Sequence, residues 1–185
     1  MTSETRREHR LLMIAALASI FTALLLIAAK TVAWLMTGSV SLLASLVDSV
    51  MDSLASLINF FAIRYSLVPA DEEHRFGHGK AEALAGLGQA IFIAGSSIFL
   101  IQQSVFKLMD PQPIEQNAVG VAVMVFSIAL TFGLLLIQKF VVRETGSTAI
   151  EADSLHYLSD LSVNAGIILV LVVSQYGFLW LPWGW

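Results

Sequence analysis

The chain has 185 residues, of which 57% are hydrophobic and only 13% charged, with a formal net charge of −4 and a mean hydropathy of +0.78. A soluble domain of this size carries about 25% charged residues, so the composition excludes an ordinary water-soluble domain and points to a membrane. There are no cysteines, which removes disulfides and thiolate metal sites and leaves His and carboxylate as the available metal ligands.

The apolar residues fall into five blocks, roughly Leu11–Leu35, Val40–Ile63, Ala83–Leu108, Ala118–Ile137 and Leu155–Leu181. Each is about 20 residues or more, the length an α-helix needs to cross ~30 Å of hydrocarbon. A transmembrane barrel is excluded, because it would show ~10-residue segments of alternating polarity. The expected fold is an all-α polytopic membrane protein. Residues 1–185 are read as one transmembrane domain with helices at about 11–35, 40–65, 81–108, 117–142 and 147–178.

The first helix follows Arg6, Arg7 and Arg10. This start resembles a signal peptide, but the apolar run is too long and no small-residue cleavage site closes it. It reads as a spanning helix that stays in place, with Lys30 inside it. Arg64, Arg75 and Lys80 lie between the second and third spans, and Lys139 and Arg143 between the fourth and fifth. Of the opposite loops, only that after the third span holds a basic residue, Lys107. This bias places the N-terminus and the even-numbered loops in the cytoplasm. Trp34, Trp180, Trp183 and Trp185 then fall at the other face, where aromatic belts anchor helices. An odd number of spans without a polar tail is what a shortened chain is expected to show.

The second span carries Asp48 and Asp52, and the fifth His156 and Asp160. Each pair is spaced i, i+4 and so projects from one helical face. A charge at mid-bilayer costs about 2.5–3.5 kcal/mol, so three carboxylates carry an upper bound of roughly 8–10 kcal/mol that something must offset. Neither helix has a basic residue at that depth, and a divalent cation is the simplest partner. One nitrogen and three oxygens suit tetrahedral Zn²⁺, whereas Mg²⁺ or Ca²⁺ prefers six or more oxygens. The alternative is that these are polar groups joining helices. An intramembrane zinc hydrolase would need an open coordination position and a general base, and no H-E-x-x-H pattern is present.

Between spans two and three, Asp71, His74 and His78 have D-x₂-H-x₃-H spacing, compatible with a zinc site at a helix entry or with an ordinary solvated loop. Gly77-His78-Gly79-Lys80 is not a phosphate loop: the required earlier glycine is His74 and the Ser or Thr after the lysine is Ala81. In the third span Gly86, Ala90 and Ala94 form a small-residue stripe suited to close helix packing, between subunits or, more commonly, within one.

Four stretches together resemble the cation diffusion facilitator family, close to its bacterial zinc and ferrous-iron efflux members. They are 37–49 (TGSVSLLASLVDS), 64–71 (RYSLVPAD), 76–82 (FGHGKAE) and 152–160 (ADSLHYLSD), and the likeness covers essentially the whole chain. The resemblance implies that Asp48, Asp52, His156 and Asp160 form the transport site, and that Asp71, His74 and His78 form an auxiliary loop site. It further implies homodimers, six transmembrane helices and a cytoplasmic C-terminal metal-binding domain; the sixth helix and that domain are expected to be missing here. Lys80 looks like the family's interhelical salt-bridge lysine, with its partner in the part not present.

The function expected is exchange of cytoplasmic Zn²⁺, or Cd²⁺ or Fe²⁺, for protons. Zn²⁺ binds deprotonated ligands, so metal and protons compete for the same atoms. Ligands divided between two helices let helix movement open the site to either side. His156 is expected to favour Zn²⁺ and Cd²⁺ over Mn²⁺ by ligand softness. The zinc is substrate as well as ligand; no organic cofactor and no nucleic acid is expected. A metal sensor or metal-gated protein without transport is the competing function.

Overall fold

The computed structural model describes residues 3–109 and 118–177, and within them every regular element is an α-helix. They are α1 (Ser3–Thr37), α2 (Val40–Ser66), α3 (Lys80–Met109), α4 (Ala118–Thr145) and α5 (Thr148–Gly177). The first four are long and apolar enough to cross a membrane, while α5 carries its acidic and histidine residues in its first half. Trp180, Trp183 and Trp185 lie outside the described residues. α1 starts well before the apolar block that predicts it, because Arg6, Arg7 and Arg10 continue its helix rather than forming a loop. Arg7 is thereby placed to pair with Glu144 at the end of α4, 2.7 Å away.

The helices close into a ring in the order α1, α2, α3, α5, α4, with α2 and α5 also touching across it. Two tight hairpins set this arrangement. α1 ends at Gly38 and α4 at Gly146, both with φ of 65°. The amide of each donates to a carbonyl four residues back, Trp34 and Val142 respectively, at 2.8 Å. This left-handed cap is open to glycine without the steric cost a Cβ brings. Ser147 then caps α5, its Oγ accepting from the Ile150 amide at 3.2 Å.

Polarity is layered along the bundle. At one end Leu12, Ala15, Ala16, Ile63, Val141, Ala149 and Ile150 form an apolar core shared by α1, α2, α4 and α5. One helical turn further in lies a buried polar layer of Ser19, Ser56, Asn59, Gln138, Asp153 and Tyr157. Beyond it come His156 and its carboxylate neighbours. The outer surface carries Phe21, Leu35, Ile58, Leu84, Ile98, Phe132 and many other large exposed apolar side chains. A soluble monomer does not show so extensive an apolar surface, and hydrocarbon is the solvent that suits it.

Candidate metal centres

The i, i+4 spacing places Asp52 on α2 and His156 and Asp160 on α5 where those helices meet. His156 Nε2 lies 3.0 Å from Asp52 Oδ1 and 3.6 Å from Asp160 Oδ2. One ligand atom from each of the three falls within 4.8 Å of the others, a grouping able to hold a metal ion. His156 is buried while both carboxylates are half-buried. The Phe92 ring of α3 meets the imidazole edge-on with centroids 5.6 Å apart, so a third helix packs against His156. Asp48 lies one turn away on α2, exposed and outside this three-residue group. The structure thus brings together three of the four residues read from the sequence.

Beneath the cluster, α5 is held in rotation by hydrogen bonds to three other helices. Asp153 Oδ2 accepts from Ser19 Oγ of α1 at 2.7 Å and from Gln138 Nε2 of α4 at 2.7 Å. Gln138 Nε2 also donates to Ser19 Oγ at 3.0 Å. Tyr157 shares a hydrogen bond of 3.0 Å with Ser56 of α2. Asn59 Nδ2 donates to the Ala149 carbonyl at 3.2 Å. Asp153 and Tyr157 are one turn apart with His156 between them, so fixing this pair fixes the direction of the imidazole. Bonds to three helices at once restrict the rotation of α5, although Asp153 Oδ1, Gln138 Oε1 and Asn59 Oδ1 find no partner among the described residues.

A basic side chain also reaches the ligand face of α2. Lys30 Nζ, from α1, donates to Ser49 Oγ at 2.6 Å and to the Ser45 carbonyl at 3.2 Å. The basic side chain comes from α1, across the helix contact, and not from α2 or α5.

The loop between α2 and α3 forms the second group. Asp71 Oδ1 accepts from the His74 amide at 2.6 Å and lies 3.3 Å from His74 Nδ1. The backbone N–H of His74 is the main cause holding the Asp71 carboxyl below its ordinary range. His78 Nδ1 donates to the Val68 carbonyl at 3.3 Å. The other ring nitrogen, Nε2, lies 3.6 Å from Asp71 Oδ2. Asp71, His74 and His78 each offer one atom within the same 4.8 Å grouping. His78, two residues before α3, is buried against Tyr65, while Asp71 and His74 are exposed. The metal-site reading of the spacing is therefore geometrically competent.

Lys80 is exposed at the start of α3, and no acidic side chain among the described residues forms an ion pair with it. The small-residue stripe divides. A Cβ on Gly86 would lie 3.3 Å from the Thr148 carbonyl of α5, so Gly86 serves packing within the chain. Ala90 and Ala94 are exposed.

Sequence reading gave no role to Lys30, Gln138, Asp153 or Tyr157. An ionisable residue inside a span is itself a signal, and Lys30 and Asp153 both qualify. A second signal is an internal repeat. Thr37-Gly38-Ser39 ends the first helix and Thr145-Gly146-Ser147 ends the fourth. Asp48 and Asp52 follow Ser39 by 9 and 13 positions, and His156 and Asp160 follow Ser147 by the same 9 and 13. The turns match in detail. Thr37 Oγ1 donates to the Ala33 carbonyl and Thr145 Oγ1 to that of Val141, both at 2.8 Å. The Ser39 and Ser147 amides each donate to the preceding threonine Oγ1 at 3.3 Å. The two hairpins are one motif used twice, and the four candidate ligand residues occupy equivalent positions in each.

The model of the cation efflux transmembrane domain matches residues 16–183. Among curated relatives, a cation-efflux pump FieF of Shewanella oneidensis is 54% identical over 90% of this chain and 56% of its own length. Proteins of the same name from Cronobacter sakazakii and Serratia proteamaculans are 50% and 51% identical, each over 91% of this chain and 56% of its own. The chain thus spans a little over half the length of these relatives.

Proposed function

The chain belongs to the cation efflux (cation diffusion facilitator) family, and from that premise we propose that it forms the membrane part of a divalent-cation efflux carrier. The cation is Zn²⁺, with Cd²⁺ or Fe²⁺ as related substrates, and it is exchanged for protons across a bacterial inner membrane with the N-terminus in the cytoplasm. The observation that carries this reading is the convergence of Asp52, His156 and Asp160 from two helices onto one small volume. The names of the relatives, cation-efflux pumps, support the direction of transport.

The chemistry follows from the donor set. Imidazole with carboxylates selects a borderline cation over hard ones, and Asp48 completes four ligands when its turn of α2 swings inward. Metal displaces protons from these atoms, so one site serves both ions. Ligands shared by two helices of a repeated hairpin are the arrangement through which a small relative tilt opens the site to one side and closes it to the other. The Asp71, His74 and His78 group is an auxiliary site on the cytoplasmic loop. The working unit is a homodimer.

The test is zinc uptake into inside-out proteoliposomes containing a pH-sensitive dye, with the full-length protein and its Asp52→Ala variant. Zinc influx with opposite proton flux, abolished by the substitution, is the expected result. Zinc movement unchanged in Asp52→Ala would remove the intramembrane cluster from the transport path. Tight zinc binding without flux would instead support a metal sensor.

A further inference from the structure

We propose that Lys30 is the built-in counter-charge of the intramembrane cation site: a tethered ammonium, docked on the ligand face of α2, that weakens cation binding so that the cation can leave. The proposal rests on the reading of Asp52, His156 and Asp160 as a cation site.

The geometry starts from the two hydrogen bonds. Lys30 Nζ lies 2.6 Å from Ser49 Oγ and 3.2 Å from the Ser45 carbonyl. On a helix, positions 45, 48, 49 and 52 share one face, successive members lying within a turn of one another. Docking at Ser45 and Ser49 therefore puts the ammonium beside both aspartates, within roughly 8 Å of their carboxylates given neighbour spacings of ~5–6 Å between Cβ atoms. Two of the ammonium's donor positions are taken by a hydroxyl and a carbonyl.

The repeat provides an independent observation. Lys30 precedes Gly38 by 8 positions, as Gln138 precedes Gly146 by 8. Each is the residue by which the first helix of its hairpin grips the second. Gln138 grips α5 at Asp153, and the equivalent place on α2 is Ser45, which Lys30 grips. The neutral half thus uses an amide on an acid, and the other half uses a cation on a serine turn. A neutral donor would suffice for a clamp alone at Ser45 and Ser49. The positive charge is the surplus, and it stands next to the cation site.

A fixed unit charge at such a distance opposes a divalent ion by several kcal/mol even at an effective dielectric of ~20, so its removal should tighten binding at least tenfold. The ammonium reaches its serine dock without occupying a ligand position, leaving the cluster free to bind metal.

The experiment is zinc affinity by competition with a chromogenic chelator, using the full-length protein in nanodiscs and a His74→Ala background to silence the loop group, and reading only the zinc bound beyond an Asp52→Asn control so that sites outside the membrane are subtracted. Lys30→Gln keeps a donor for Ser49 but loses the charge, and should bind zinc at least tenfold more tightly while transporting more slowly. Lys30→Arg should stay within threefold of its parent on both measures. Ser49→Ala frees the ammonium to pair with the carboxylates and should weaken binding severalfold. Opposite shifts in these two variants are not what loss of a merely structural clamp gives. Affinity in Lys30→Gln that is unchanged or weaker, or no change in Ser49→Ala, overturns the proposal. Asp52→Asn separates the two levels: if it leaves zinc affinity intact, the cation-site reading itself fails.

Discussion

Replacing Asp153 tests whether the polar layer is what orients α5 and His156. Asp153 is 1% exposed and accepts two hydrogen bonds, from Ser19 and Gln138, both at 2.7 Å. Asp153→Ala removes both. Interhelical hydrogen bonds in membrane proteins are worth about 0.6 kcal/mol on average and at most about 1.7. Both donors keep another acceptor, since Ser19 Oγ also reaches the Ala15 carbonyl at 3.1 Å and Gln138 reaches Ser19. The hydrogen-bond loss is therefore about 1–2 kcal/mol. The small void left behind adds up to about 1 kcal/mol, for a total of roughly 2–3 kcal/mol. Asp153→Asn is the informative partner. Its carbonyl oxygen can accept the same two bonds, and its amide replaces the Oδ1 atom, which has no partner, as Gln138 Oε1 has none. It should lose less than about 1 kcal/mol. Unfolding in mixed detergent micelles, with zinc affinity measured alongside, reads both effects. Asp153→Ala should weaken zinc binding through His156, and Asp153→Asn should not. If Asp153→Ala is as stable as the parent, or if Asp153→Asn is equally damaged, the layer is not acting as a hydrogen-bonded frame.

Exchange of the imidazole for a harder ligand in His156→Asp should shift transport from Zn²⁺ towards Mn²⁺, measured as the ratio of the two uptake rates; an unchanged ratio would show that selectivity lies elsewhere. Gly86→Val should destabilise the α3–α5 contact by about 1–3 kcal/mol, because the neighbour at 3.3 Å is backbone and yields only by moving a helix; a neutral effect in the same unfolding assay would refute that close approach. Arg7→Ala should change stability by less than about 1 kcal/mol and lose that difference in high salt, as expected for the exposed Arg7–Glu144 pair. The Asp71 carboxyl is depressed by the His74 amide, so the bond between them contributes above the unfolded Asp value of ~3.9 and is lost only as pH falls through a lower folded value. The His74 amide resonance should stay in place until the pH is below ~4, and a midpoint at or above that value would contradict the bond.

Much of this protein was determined locally. Apolar block length gives the five helices, because a bilayer demands about 20 apolar residues per span whatever the neighbours do. Asp52, His156 and Asp160 were legible because charge inside an apolar run is costly enough to need a function, and the i, i+4 spacing assigned each pair to one face. The Asp71, His74 and His78 spacing was legible but ambiguous, since a solvated loop uses the same residues. Only the folded geometry shows the His78 imidazole buried, with Nδ1 at the Val68 carbonyl and Nε2 beside Asp71.

What the sequence could not decide is which side chains meet across helices. Ser19, Gln138 and Asp153 belong to three helices and converge only when the ring closes. Lys30 reads as an isolated intramembrane charge until α1 packs on α2 and sets it on Ser49. Asp48, read as an equal member of its pair with Asp52, is left outside the cluster by the rotation of α2 against α5. Helical periodicity fixes the relative direction of side chains along one helix, but the rotation and tilt between helices are set by packing. The two turns that carry the candidate ligands were therefore written in the chain, and their meeting was a property of the bundle.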